Sequence, residues 1–328
     1  MFVAAGSIIV DDIRTADGQL FEGVLGGGAT HAAAGMRLWT PEVALVGSVG
    51  RDFPPEPWAA LEALGLDLRA IRRLDRATPR AWQLYDADER RTERFRSPPE
   101  EFPAFLPTPE QLAPFAHARG FHLHTAELDH VDALLAAMRR ARRAVVCWEP
   151  APWHMVPEHR RTVLALLRRV DIVCPNGEEC RTLLGPQPPE AWLTAFLEAG
   201  AALAAVRLGR AGSLVQARGD TAPVHVPAVA LGPILDVTGA GNAYGGGLLV
   251  GWARATRAGS TPDPQAEPKT PGAGDGGRAD ATRIAGLHGA ISAAVTLGAL
   301  GVPRITPAVQ AQAAACLAAH GVGDLPPP

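Results

Sequence analysis

Short apolar runs recur along the chain, and each ends in a glycine, proline or polar turn. "FVAAG" at 2–6, "VALVG" at 43–47, "FHLH" at 121–124, "AVVCW" at 144–148, "DIVC" at 171–174 and "LAAVRLG" at 203–209 are of this kind. Runs with no polar alternation read as strands buried on both faces, the pattern of a parallel sheet. Between them, "GATHAAAGMRLW", "PWAALEALGLDL", "ELDHVDALLAAMRRA" and "EHRRTVLALLRRV" place Ala, Leu and Val at helical spacing with charged residues opposite. Strands alternating with helices predict an α/β fold with a central, mostly parallel sheet covered on both sides. Near residue 80 the period changes. "RAWQLYDADERRTERFR" alternates apolar with polar residues around a charged turn, which predicts an exposed hairpin.

Composition narrows the class. The 328 residues carry 47% hydrophobic and 20% charged residues, as a globular protein does. A net charge of −3 gives no reason to expect nucleic acid or an anionic membrane as partner. No stretch is long and apolar enough for a membrane span, and the N-terminus lacks a charged leader, so a cytoplasmic protein is the expectation. Cys147, Cys174, Cys180 and Cys316 show neither CxxC nor zinc spacing and are expected to be reduced thiols. The Pro/Gly-rich stretch at 254–281 reads as a disordered insertion. It holds the chain's single lysine, Lys269, so neither a P-loop nor a protein-kinase lysine is available for phosphates. Backbone amides, arginine and metal must do that work.

The richest stretch is "ILDVTGAGNAYGGGLLVGW", residues 234–252. It reads as a strand end, a tight turn and a helix start, with the amides of Gly239, Ala240, Gly241 and Asn242 aimed at an anion. A catalyst built this way calls for an acid directly after the turn, where this chain has Asn242. A second "GAGD" at 272–275 has neither a leading strand nor a following apolar helix and reads as linker.

"DVTGAGNAYGGGL" resembles the signature Asp-Thr-Thr-Gly-Ala-Gly-Asp-x-Phe-x-x-Gly of the PfkB carbohydrate kinases, in the ribokinase-like superfamily. "GSIIVD", "GGGATHAA", "GSVGRD", "PNGEE" and "LGRAG" match further family elements in family order. The lid-like hairpin and the Asn after Gly-x-Gly are similar to the fungal maintenance-of-killer-like branch. The resemblance implies one three-layer kinase domain over 1–328 with a small β lid, formed by about 13–24 and 80–96. It implies transfer of a phosphoryl group from ATP, with Mg²⁺ and a monovalent cation near Asp236, to a hydroxyl of a sugar-like small molecule. Exposed hairpin edges invite a homodimer through the lid.

Carried residue by residue, the resemblance places Asp11, Gly27 and His31 at the substrate, although the family usually has Asn at the position of His31. It places Asn176, Glu179, Arg207, Gly209, Gly212 and His288 at the nucleotide. Glu179 and Glu149 are the metal candidates, and Glu149 is also a candidate substitute base. Plainer readings stand beside these: Asn176 and Glu179 as a helix cap, His31 and His288 as packed histidines, Glu149 as a loop acid. An amide cannot take a proton near neutral pH, and general-base help is worth about 10²–10⁴-fold. Asn242 therefore predicts a slow kinase, or else a catalytically deficient protein that binds nucleotide and sugar in a regulatory role.

Overall fold

The computed structural model describes residues 1–87, 90–124, 127–258 and 275–323. Its strands are β1 (Phe2–Ala5), β2 (Ile9–Arg14), β3 (Leu20–Gly26), β4 (Val43–Gly50), β5 (Ile71–Leu74), β6 (Arg80–Tyr85), β7 (Arg91–Phe95), β8 (Gly120–His124), β9 (Val145–Glu149), β10 (Ile172–Val173), β11 (Leu203–Arg207), β12 (Ser213–Ala217) and β13 (Val224–Val226). Its helices are α1 (Gly28–Arg37), α2 (Pro55–Ala63), α3 (Pro109–Leu112), α4 (Leu128–Met138), α5 (Arg160–Leu166), α6 (Gly177–Leu184), α7 (Pro189–Ala199), α8 (Ala240–Ala258), α9 (Asp275–Leu297) and α10 (Pro307–Ala319).

Nine strands form the main sheet in the order β13-β12-β11-β10-β9-β8-β1-β4-β5. Pairings from β11 to β5 are parallel, and only β12 and β13 turn the edge antiparallel. Successive side chains of a strand leave opposite faces, and β1 shows the result. Phe2 and Ala4 join a core with α1, α8, α9 and α10, while Val3 and Ala5 join a second core with α4, α5, α6 and α7. This is the three-layer α/β architecture the apolar runs call for. Among the described residues no helix is long and apolar enough to cross a membrane.

A second sheet of four strands, β3-β2-β6-β7, takes up the segments expected as lid. β2 pairs antiparallel with β3 and parallel with β6, and β7 closes the hairpin on β6. Two sequence expectations change here. Residues 227–239, expected to contain a strand, form an irregular segment, with Ile234 53% and Leu235 49% exposed. Its amides at Leu235 and Asp236 bond the Leu297 carbonyl at the end of α9 instead of a strand. The ends of the expected insertion 254–281 are helical, because α8 runs to Ala258 and α9 starts at Asp275. The Arg254 guanidinium donates to the Trp39 carbonyl at 2.5 Å, which ties this end of α8 to the α1 layer. Residues 259–274, and with them most of the second "GAGD", lie outside the described residues.

α8 sits against α1 at backbone contact. A Cβ on Gly35 would stand 2.3 Å from the Ala243 carbonyl oxygen, and one on Gly246 would stand 2.2 Å from that of Ala32. The two glycines set how deeply α8, and the turn before it, enters the molecule.

Candidate active site

The turn ahead of α8 is built by Asp236. Its Oδ1 accepts from the Thr238 amide at 2.8 Å and from the Tyr85 hydroxyl, and its Oδ2 accepts from the Gly301 amide at 3.0 Å. Both oxygens are thus committed to protein donors. Gly239 takes a left-handed φ of 72°, and a Cβ there would stand 2.0 Å from the His31 ring. The position therefore requires glycine. Ala240 N bonds Val237 O and Ala243 N bonds Gly239 O, while Gly241 and Asn242 keep amides with no backbone acceptor among the described residues. Free amides at the start of a 19-residue helix are donors of the kind that suit an anion.

Beneath this turn lies a buried charged network. The guanidinium of Arg207, at the end of β11, is so close that a Cβ on Gly241 would stand 1.5 Å from its Nη1. Arg207 Nη2 lies 2.8 Å from Glu149 Oε1 and 3.6 Å from Glu179 Oε2. Glu149, at the end of β9, also accepts from Asn242 Nδ2 at 2.9 Å on Oε2, with His122 Nε2 3.3 Å from that oxygen. Burial by itself would raise the Glu149 carboxyl; Arg207 and the histidines outweigh it and hold Glu149 well below the usual carboxylate range. Both oxygens of Glu149 are taken up by protein partners. Neither oxygen is without a protein partner for the metal role expected of Glu149, and a carboxylate so strongly stabilised is a poor substitute base. Asn176 and Glu179 form a reciprocal cap on α6: Asn176 Oδ1 accepts from Glu179 N at 2.9 Å, and Glu179 Oε2 accepts from Asn176 N at 2.8 Å. The cap turns Glu179 toward Arg207 and the α8 turn.

One cavity of about 1110 Å³ opens on the turn. Asn176, Arg207, Gly209, Gly212, Ala240 and Gly241 line it. Val229, Leu231, Ala290, Ala293 and Leu297 add apolar wall. The irregular 227–237 segment is exposed because it forms this apolar wall. His288 is not there. It is buried between helices, its ring centroid 4.2 Å from that of Trp39 and its Nδ1 2.8 Å from the Ile284 carbonyl. It holds a packing position away from the cavity, because the α9 face that carries it turns toward α8 and α1.

Asp11, Gly27 and His31 lie on the other side of the turn. Gly27 caps α1 with φ 104°. His31, in the first turn of α1, is buried under Gly239 with neither ring nitrogen partnered among the described residues, and burial pushes it down to about 4. Asp11 Oδ1 accepts from Gln83 Nε2 at 3.0 Å, and burial pushes the carboxyl up to about 7, against the pull of that bond. Gln83 also donates to Glu93 at 2.9 Å and accepts from Arg91 at 2.6 Å. Sequence reasoning missed Gln83 and Tyr85. Hydrophobic alternation points Trp82 and Leu84 inward, yet β6 buries Ala81 and Gln83. Trp82 instead packs under Arg96, whose guanidinium carbon lies 5.3 Å from the ring centroid. His122 looks structural from its strand position, and its place beside Glu149 was also missed. No local pattern announces that contact, which joins different strands.

The chain matches the model of the pfkB family of carbohydrate kinases over residues 3–263. It is 27% identical over 254 residues to a cytidine kinase of Thermococcus kodakarensis, covering 77% of this chain and 88% of that protein. It is 26% identical over 290 residues to the protein MAK32 of Saccharomyces cerevisiae, covering 77% and 78%. Among solved structures, adenosine kinase from Sinorhizobium meliloti superposes with a TM-score of 0.71 at 20% identity, over 98% of this chain and 99% of that one. With the family model covering most of its length, this chain belongs to the pfkB family of carbohydrate kinases.

Proposed function

We propose that the chain transfers the γ-phosphoryl group of ATP to a hydroxyl of a sugar-like small molecule, with nucleosides as the first class to test. The observation that carries this reading is the α8 turn: the free amide of Gly241, with that of Asn242 next to it in the chain, and the Arg207 guanidinium stand at a cavity whose remaining walls include Val229, Leu231, Ala290 and Ala293. Phosphates suit the amides and the guanidinium, and a planar base suits the apolar walls. Nucleosides come first because the similar proteins include a cytidine kinase and an adenosine kinase.

In the reaction the acceptor oxygen bonds to the γ-phosphorus and the bond from phosphorus to the ADP oxygen breaks. The hydroxyl proton, which Asn242 has no basic group to take, passes to the transferred phosphoryl group. A loose transition state rests mainly on positioning and on donors to the γ-oxygens. The free amides of Gly241 and Asn242 and the Arg207 guanidinium fill that role. Mg²⁺ would neutralise phosphate charge. Its preference for phosphate oxygens and water suits a site where Glu179 Oε2 is held by the Asn176 amide and faces Arg207. Asp236 spends its oxygens on holding the turn, so its role is to shape the anion site.

The second reading is a regulatory protein that binds nucleotide without turnover. It is favoured by Asn242 itself and by the burial of Asp11, His31 and Gln83, each at most 1% exposed, beneath the second sheet. That sheet, from residues 13–24 and 80–96, is proposed as a lid that opens for the acceptor and offers edges for a homodimer. ADP release from ATP and Mg²⁺ with cytidine, adenosine, inosine, ribose and fructose decides between the readings. Slow turnover with at least one acceptor supports the kinase. ATP binding with no turnover in any case supports the regulator, and no ATP binding sinks both.

A further inference from the structure

We infer that Glu149 is a positioning residue for Asn242, and that the two form a matched pair in which the carboxylate sits on β9 and the amide on the catalytic turn. The inference rests on the kinase reading above. Glu149 is 4% exposed, and its Oε1 is engaged by Arg207 at 2.8 Å. An ionised carboxylate only accepts hydrogen bonds. The Asn242 amide can therefore face Glu149 with its Nδ2 alone, as the 2.9 Å contact shows. The consequence is for the other half of the amide. Oδ1 is turned away from Glu149, Asn242 is partly exposed, and Oδ1 has no protein donor among the described residues. A fixed, unpaired acceptor beside the anion-binding amides of Gly241 and Asn242 is placed to take the hydrogen bond of an attacking hydroxyl. It orients the lone pair toward the γ-phosphorus without removing the proton. Glu149 acts through Asn242 and need not touch the substrate.

The pair also changes what Asn242→Asp should do. Restoring the acid at this position looks from the sequence like a gain of base catalysis. In this fold it puts a second carboxylate at hydrogen-bond distance from Glu149, with no donor between them. The acid becomes tolerable only if position 149 becomes a donor. In the double variant Glu149→Gln/Asn242→Asp, the introduced amide nitrogen donates to one oxygen of the introduced carboxylate. The carbonyl of that amide keeps Arg207, and the second carboxylate oxygen faces the cleft. His122 Nε2 can meet the new amide as an acceptor in its neutral form. In Glu149→Gln alone, the Asn242 amide must flip to present Oδ1 to the introduced amide, which turns a donor toward the acceptor hydroxyl.

The test is a cycle of four proteins: native, Glu149→Gln, Asn242→Asp and the double variant. Each is assayed for ADP release with the best acceptor of the panel above and for thermal unfolding. Each single variant should lose kcat by about tenfold or more, with KM for ATP within about twofold, on the scale of one misdirected catalytic hydrogen bond. The double variant should recover to at least the native kcat. Both single variants should also unfold at lower temperature than additivity with the double variant allows. A rise in kcat for Asn242→Asp alone that matches the double variant would overturn the inference, as would an unchanged kcat in Glu149→Gln. If no protein of the cycle turns over any acceptor, the kinase reading fails. The unfolding cycle then still decides the pair: additive shifts refute it and non-additive shifts uphold it.

Discussion

Two buried carboxylates a short way apart in this molecule titrate in opposite directions. Glu149, under the α8 turn, stays ionised; Asp11, under the second sheet, is pushed up to about 7. Burial penalises both charges. The difference is the partner. Glu149 faces the Arg207 guanidinium at 2.8 Å, a charge in contact. Asp11 has the neutral amide of Gln83 at 3.0 Å, with Glu93 and Asp236 nearby adding repulsion and Arg91 only partly offsetting it. The neighbouring Asp12 sharpens the contrast. It leaves the opposite face of β2, is equally buried, and is met by Arg96 and by Arg80 at 3.6 Å. The Glu149 side of the α8 turn is thus a charged network of paired groups. The Asp11 side is a buried polar cluster whose carboxyl prefers to be neutral.

The hardest way to break this comparison is to remove the cation. Arg207→Met leaves Glu149 and Glu179 buried without a counter-charge. Losing one partner of a buried ion pair costs about 3–5 kcal/mol. Chemical denaturation should show a loss of that size, with ATP affinity falling as well. A loss under about 1 kcal/mol would mean that the network is not what holds Glu149 ionised. On the other side of the turn, Asp11→Asn should act in the opposite sense. The folded carboxyl keeps its proton up to about pH 7, whereas the unfolded one loses it near 3.8. Between those values the folded state binds more protons, so native stability falls as pH rises. Asn, which carries no charge, removes that slope. The variant's stability relative to native should therefore be flat below about pH 4 and climb to a plateau above about pH 7, on the order of 2–4 kcal/mol. Denaturation at pH 4, 6 and 8 reads this directly, and a flat difference would refute the raised carboxyl.

The same contrast explains what the sequence disclosed. The main sheet was legible because strands buried on both faces need no polar alternation: "FVAAG" and "VALVG" can do little else. The turn at Gly239–Asn242 was legible because glycine there answers a backbone demand that no other residue meets as cheaply. The polar interior was not. Gln83 is buried and Trp82 half-exposed, against alternation, because Asp11, Glu93 and Arg91 satisfy the amide from other strands. Motif order points His288 toward the nucleotide, yet it packs on Trp39. In the sequence Glu149 is one acid among several; in the fold β8, β9, β11 and α8 bring His122, Arg207 and Asn242 onto it. Partners of buried polar groups come from distant sequence, and no local pattern encodes them.

The smallest expected effect tests the joint between the two sides. The Tyr85 hydroxyl, on the second sheet, donates to Asp236 and accepts from the Val237 amide at 2.8 Å, so one side chain bridges β6 to the turn ahead of α8. Burial and the Asp236 charge push this phenol up to about 12, which keeps it a donor throughout the physiological range. Tyr85→Phe keeps the ring and removes the bridge. Asp236 retains the amides of Thr238 and Gly301, and the Val237 amide can reach water, so the global cost should be only about 1 kcal/mol. The local cost should be larger than the global one. Amides of residues 235–239 should exchange faster by about tenfold in Tyr85→Phe, while those of β8 and β9 keep their protection. Equal acceleration in both regions would mean that Tyr85 stabilises the whole domain and is no hinge between the second sheet and the α8 turn. Unchanged exchange at 235–239 would mean that the second sheet closes over Asp11 without gripping the turn at all.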